Sequence, residues 1–305
     1  MPLDYCLIEF ISGPNILRGR WYAAQEGASA PCVIMAHGTS ATISMGLEDY
    51  ASQFQGAGLN VILYDHAGFG DSDGVVRQVI NPWIQARGFK DAFLHTQTLN
   101  ELHNGQIFLW GDSYAAMLVL VVGAFIEGLA GIVAHIPATG TSNIQSSNLK
   151  ADFDILKTMF EVGDLSELEV DVIGPLPVVS ADQLHAPSLL KPIQAFSWFI
   201  THGGRFGSHW QNLVSKVTPK TPVPLMPQIT AAFIKVPTMM LVGLNDEMIH
   251  CNPAVQKAVF NAITAPKEFY ELDGGHFGCL YAGSSLFKKA VQLEINFMKR
   301  NSQAM

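Results

Sequence analysis

The stretch Gln106-Ile107-Phe108-Leu109-Trp110-Gly111-Asp112-Ser113-Tyr114-Ala115-Ala116 decides how this chain is read. An apolar run ends at Gly111, a serine follows two residues later, and small residues resume at Ala115. The pattern predicts a buried strand turning sharply into a helix, with Ser113 on a turn too crowded for large neighbours. A serine hydroxyl is a weak nucleophile and needs a base beside it. Two later segments offer the partners. Asp246 follows the run Leu241-Val242-Gly243-Leu244-Asn245, and His276 lies in Leu272-Asp273-Gly274-Gly275-His276-Phe277. We therefore expect Ser113 to attack an acyl carbonyl and His276 to take and return its proton. Asp246 is expected to orient the imidazole. Glu247 is the alternative acid; Asp246 is preferred because it stands first after its strand. The competing reading of Ser113, an ordinary helix N-cap, explains neither Asp246 nor His276.

An acyl-transfer intermediate needs backbone donors for its oxyanion. The amide of Tyr114, just after the nucleophile, is expected to be one. The other should come from His37-Gly38-Thr39, which follows the apolar run Cys32-Val33-Ile34-Met35-Ala36. Thr39 is the first choice and Gly38 the second. His37 and His66 read as structural loop residues.

Outward from the elbow, strand and helix signals alternate. Residues 4–11 and 16–24 read as opening strands joined by a turn at Ser12-Gly13-Pro14-Asn15. Strands follow at 32–36, 61–64, 106–110, 132–134, 239–242 and 268–272, with helices at 46–58, 82–99, 114–127 and 286–298. Such alternation predicts an α/β protein with a mainly parallel, doubly wound sheet covered on both faces. It breaks between about 138 and 225, where Pro175, Pro177, Pro187, Pro192, Pro219, Pro222 and Pro224 accumulate and strand signals are few. We read 138–225 as a helical lid inserted into a core made of 1–137 and 226–305. Trp198, Phe199 and Trp210 in the lid are the candidate pocket walls.

Composition narrows the class. The chain has 305 residues, 49% of them hydrophobic and only 14% charged, enough for one large core plus an apolar pocket or an oligomer surface. A net charge of −8 argues against nucleic acid as a partner. The first residues, Met1-Pro2-Leu3-Asp4-Tyr5, carry no signal-peptide pattern, and no apolar run reaches about 18 residues. Cys6, Cys32, Cys251 and Cys279 show neither paired nor zinc-ligand spacing, so reduced thiols in a cytoplasmic protein are expected. No metal and no cofactor are called for, and oligomeric state is left open between monomer and homodimer. Gly68-Phe69-Gly70-Asp71-Ser72-Asp73-Gly74 has the wrong spacing for a dinucleotide fingerprint and reads as a tight loop under the site. Charge is uneven in the lid. Residues 152–182 hold eight acids and one base, whereas residues 183–245 hold five bases and no acid. An ordinary solvated face or a docking patch for an acidic partner would both read this way.

The segment Asp65-His66-Ala67-Gly68-Phe69-Gly70-Asp71-Ser72-Asp73-Gly74, with Arg77-Gln78 and Asn81-Pro82, resembles α/β-hydrolases related to the YcjY-type and X-Pro dipeptidyl-peptidase-like proteins. Gly204-Arg205, Trp210-Gln211-Asn212, Thr218-Pro219 and Thr221-Pro222-Val223-Pro224 are similar to the lid of one branch, as is Pro266 through Gly278. That branch contains fungal polyketide transferases and thiohydrolases. One departure is Ala67, where such proteins usually carry Arg after the His. The resemblance runs from about residue 30 to 300. It implies the α/β-hydrolase fold and a polyketide acyl thioester, presented on an acyl-carrier domain of a polyketide synthase, as substrate. Hydrolysis and transfer to an alcohol or amine both stay open. So do a carboxylesterase or lactonase acting on a free small molecule, a peptidase, and a catalytically silent binding protein on the same fold.

Overall fold

The computed structural model describes residues 5–27, 30–99, 102 and 106–302. Two strands open the chain, β1 (Cys6–Ser12) and β2 (Asn15–Tyr22), paired antiparallel about Gly13, whose φ of 55° suits a residue without a side chain. Then come β3 (Cys32–Ala36), α1 (Leu47–Gly56), β4 (Asn60–Tyr64), the two-residue β5 (Val79–Ile80) and α2 (Pro82–Thr96). The elbow joins β6 (Ile107–Asp112) directly to α3 (Ser113–Val122), and β7 (Leu129–His135) follows. The next stretch carries α4 (Leu149–Val162), β8 (Val170–Leu176), α5 (Ile193–Gly203) and β9 (Val214–Pro219). The chain closes with α6 (Pro227–Thr230), β10 (Thr238–Gly243), α7 (Pro253–Ala262), β11 (Lys267–Leu272) and α8 (Ser285–Ser302).

Eight strands form one sheet in the order β1-β2-β4-β3-β6-β7-β10-β11, parallel from β4 onward. The protein has the α/β-hydrolase fold. The central strands are buried along their length, as their unbroken apolar runs require. Their side chains alternate between two cores. Ile34, Ile62 and Leu109 face α2, α3 and α4; Val33, Val61 and Phe108 face α1, α5 and α8. Helix starts are explicit in the sequence. Asn81 caps α2 through the amides of Trp83 and Ile84, with Pro82 in the first helical position. Asn252-Pro253 starts α7 in the same way, although the sequence reading passed over that helix.

The segment 138–225 corrects one expectation. Besides α4 and α5 it contains β8 and β9, which join β5 in a second, three-stranded sheet in the order β5-β9-β8. Pro175 and Pro219 lie within these strands, and β8 is exposed on both faces, so neither strand shows an alternating pattern. The Gly-rich segment 68–74 is a tight loop, closed by the Arg77 guanidinium on the carbonyls of Gly70 and Ser72. No helix among the described residues is long and apolar enough to cross a membrane.

Candidate active site

Ser113 begins α3 with φ 53°, a left-handed conformation that a residue with a side chain adopts only when its surroundings enforce it. Close packing provides that enforcement. A Cβ on Gly111 would come within 2.5 Å of the Ala115 carbonyl oxygen, so the strand side of the elbow requires glycine. Ala115 is fully buried there. The Ser113 carbonyl is held from beyond β7 by the Ala138 amide at 3.0 Å.

His276 follows β11 in its glycine-rich loop and is buried. Its Nδ1 lies 2.8 Å from Asp246 Oδ2, and the other Asp246 oxygen accepts the Met248 amide at 2.8 Å. Glu247 does something else. Its Oε2 accepts the backbone amide of His276 at 2.8 Å, which fixes the main chain rather than the ring. Gly275 is necessary at this point, because a Cβ would sit 2.4 Å from that carboxylate. Cys251, to which the sequence reading gave no role, places Sγ 3.6 Å from His276 Nδ1. Burial, then Asp246 and Glu247, push its thiol well up. Asp246, Cys251 and His276 hold donor atoms within 4.8 Å of one another and are the one group among the described residues that could hold a metal ion.

Ser113 and His276 line one small cavity of about 20 Å³, together with Gly38, Thr39, Trp198 and Phe199. Gly38 runs so close to the elbow that a Cβ would lie 2.8 Å from Asp112 Oδ2 and 3.2 Å from Ser113 Cβ. Burial pushes the Asp112 carboxyl up to about 6; His135, His276 and the Gly38 amide oppose this only in part. His37 and His66 are fully buried and pack edge to face at 4.8 Å, away from the cavity walls. Burial lowers His37 to about 4, so it is neutral at ordinary pH.

The lid aromatics divide. Trp198 and Phe199 line the cavity, but Trp210 lines neither this one nor its neighbour. Its indole fills the space left by the absent side chain of Gly203 and packs behind Phe199 at 5.5 Å. The neighbouring cavity is much larger, about 490 Å³, and shares Thr39 and Leu190 with the first. Tyr114, Trp83, Met117, Leu225 and Lys216 are among its walls. Little in the sequence signals it, because its walls come from eight segments far apart in the chain.

Nor are the bases of residues 183–245 a single free patch. Lys220 pairs with Glu169 at 3.2 Å and Asp171 at 3.4 Å, both from the acid-rich stretch. Arg205 lies near Asp49, and Lys216 is on the cavity wall.

Known proteins share this arrangement of the chain. A family profile described as "Serine aminopeptidase, S33" matches residues 27–166. The quorum-quenching protein AidA of Acinetobacter baumannii is 26% identical over 98% of this chain and 95% of its own. The thiohydrolase apmlB of Arthrinium phaeospermum is 24% identical over 94% of this chain and 93% of its own. Among solved structures, the α/β hydrolase GrgF from Penicillium sp. sh18 superposes with a TM-score of 0.73 at 24% identity, covering 99% of this chain and 100% of that one. The chain has the α/β-hydrolase fold and is similar along most of its length to proteins named as thiohydrolases and as a polyketide transferase.

Proposed function

We propose that this protein is a serine hydrolase or acyltransferase that opens acyl thioesters or esters through an acyl-enzyme on Ser113. The observation that carries this reading is the shared cavity: a strained serine and a carboxylate-bound imidazole face the same small space. In the first step Ser113 Oγ bonds to the acyl carbon while its proton passes to His276 Nε2. Asp246 holds the Nδ1 proton and stabilises the imidazolium. The amides of Tyr114 and Thr39 receive the oxyanion, and Gly38 lets their loop approach the elbow. Collapse expels the thiol or alcohol, which leaves with the proton from His276. Water or another nucleophile then repeats the sequence and frees Ser113.

Residues 138–225 act as the cap over this site, with Trp198 and Phe199 as walls near the nucleophile. The names of the thiohydrolase and polyketide-transferase relatives favour a polyketide acyl thioester as substrate; delivery by an acyl-carrier domain in the cytoplasm belongs to the same proposal. A second reading uses the same groups on a free ester or lactone, as a carboxylesterase or lactonase. It is favoured by the quorum-quenching relative, which aligns over nearly the whole chain.

Mass spectrometry of the intact protein mixed with acyl thioesters tests the chemistry. The expected result is an acyl adduct on the peptide containing Ser113; an adduct absent from rapidly quenched samples, with no turnover, would leave only a binding protein. Chain length tests the cavity. Burying four further methylenes is worth about 3 kcal/mol, so kcat/KM for a hexanoyl ester is expected to exceed that for an acetyl ester by about a hundredfold. Equal values would mean that the large cavity receives no part of the substrate.

A further inference from the structure

The large cavity has two unlike sides. Trp83 and Met117 come from α2 and α3, and Leu225 and Met226 from the segment before α6; all present apolar surface. The opposite wall is one face of the three-stranded sheet. In its register Ile80 of β5 pairs with Lys216 of β9, and Thr218 of β9 pairs with Asp171 of β8. Residues 216 and 218 lie two apart on one strand, so they point the same way, and all four of these residues line the cavity. This face therefore presents a polar strip to a largely apolar space, whose lining also includes His250 and the paired Lys220.

The charges on that strip do not cancel. Asp171 is taken by Lys220. Among the described residues no carboxylate pairs with the Lys216 ammonium. Its charge is felt inside the cavity, where burial and then Lys216 hold His250 below its ordinary value. Lys216 sits on the middle strand, hydrogen-bonded between β5 and β8, so its backbone is fixed on both sides. A half-buried cation with no partner, on a fixed strand facing an apolar chamber beside the nucleophile, is suited to bind an anion brought in by the substrate.

We propose that the large cavity accepts an acyl chain bearing a carboxylate several carbons from its reacting carbonyl, and that Lys216 binds that carboxylate. The inference rests on the acyl-enzyme reading of Ser113 for its orientation and goes beyond it in naming the substrate class. Lys216 is a specificity residue here and takes no part in bond making.

The test compares p-nitrophenyl esters of two equally long chains, one ending in methyl and one in carboxylate, on the wild-type protein and on Lys216→Met. Met keeps most of the length of the side chain and removes the charge. Loss of one charge-assisted hydrogen bond is expected to cut kcat/KM for the carboxylate ester by about tenfold or more, leaving the methyl ester within twofold. Equal losses on both esters, or no loss on either, would overturn the proposal. An effect that appears only with phosphopantetheine thioesters, and equally for both acyl ends, would also overturn it, because Lys216 would then be reading the carrier arm. Binding separates this question from the chemistry. Calorimetric titration of the corresponding free dicarboxylate and monocarboxylate into Ser113→Ala protein, with and without Lys216→Met, requires no turnover. The dicarboxylate is expected to bind about tenfold more weakly once Lys216 is replaced, and an unchanged Kd there sinks the inference even if Ser113 proves to be the nucleophile.

Discussion

Ser113→Ala is expected to lower kcat/KM for acyl esters by about 10³-fold or more while the protein stays folded. The side chain removed is small and lines a cavity, so packing changes little, whereas no other hydroxyl lines the cavity beside His276 except that of Thr39. The two adjacent acids sharpen the test. Asp246 meets the imidazole ring and Glu247 meets the backbone amide of the same histidine. Asp246→Asn removes the charge that steadies the imidazolium and favours the wrong tautomer, a change that costs about 10⁴-fold in a comparable triad. Glu247→Gln keeps a carbonyl oxygen that still accepts the His276 amide, so a loss of about tenfold or less is expected. Steady-state kinetics on one ester substrate, with circular dichroism to verify folding, checks all three variants. Near-normal turnover by folded Ser113→Ala would dismiss the proposed nucleophile. A larger loss in Glu247→Gln than in Asp246→Asn would move the acid's role to Glu247.

The second large effect concerns stability. His135 on β7 and Glu294 on α8 form a fully buried pair, Nδ1 to Oε1 2.7 Å, directly behind the elbow: His135 is the register partner of Asp112. Burial alone would strip the proton from His135. Glu294 and then Cys279 outweigh it and raise the imidazole to about 10. Glu294→Ala would leave that imidazole buried without its counter-charge, and we expect a loss of about 3–5 kcal/mol in urea unfolding. The double variant His135→Phe/Glu294→Leu removes both charges together and should recover most of that loss. The pH dependence has a definite sign. A histidine raised in the folded state contributes fully below its ordinary value of 6.5 and loses that contribution as pH rises through about 10. The wild-type advantage over the double variant is therefore expected to shrink across that window. An advantage that grows with pH, or a Glu294→Ala loss below about 1 kcal/mol, would show that the pair does not carry this energy.

Much of the scaffold was legible because its signals are local. Cys32–Ala36 is a strand at the bounds read from its apolar run. Asn81-Pro82 marks the start of α2 with a side-chain cap and a residue already fixed near helical φ. α7 carries an equally local start at Asn252-Pro253, whereas the lid strands depended on long-range partners. β8 and β9 are strands because β5, some 90 residues earlier than β8, completes their sheet, and their own residues include prolines and exposed valines. Trp210 looked like a pocket wall by proximity in sequence to Trp198, yet the vacancy at Gly203 draws its ring away from the cavity.

The order of Ser113, Asp246 and His276, the buried parallel strands and the tight elbow follow from the sequence alone, since each depends on residue type within a few positions along the chain. Tertiary structure decided what depends on direction and on distant neighbours. Asp246 and Glu247 are adjacent acids that a sequence cannot rank by geometry; successive side chains leave the loop in different directions, one to the ring and one to the main chain. Arg205, Lys216 and Lys220 read as one basic stretch, but folding places acids beside Lys220 and turns Lys216 into a cavity assembled from segments far apart in the chain. Charge along a sequence is a sum, whereas the field a substrate meets is set by which charges remain unpaired once the strands are in register.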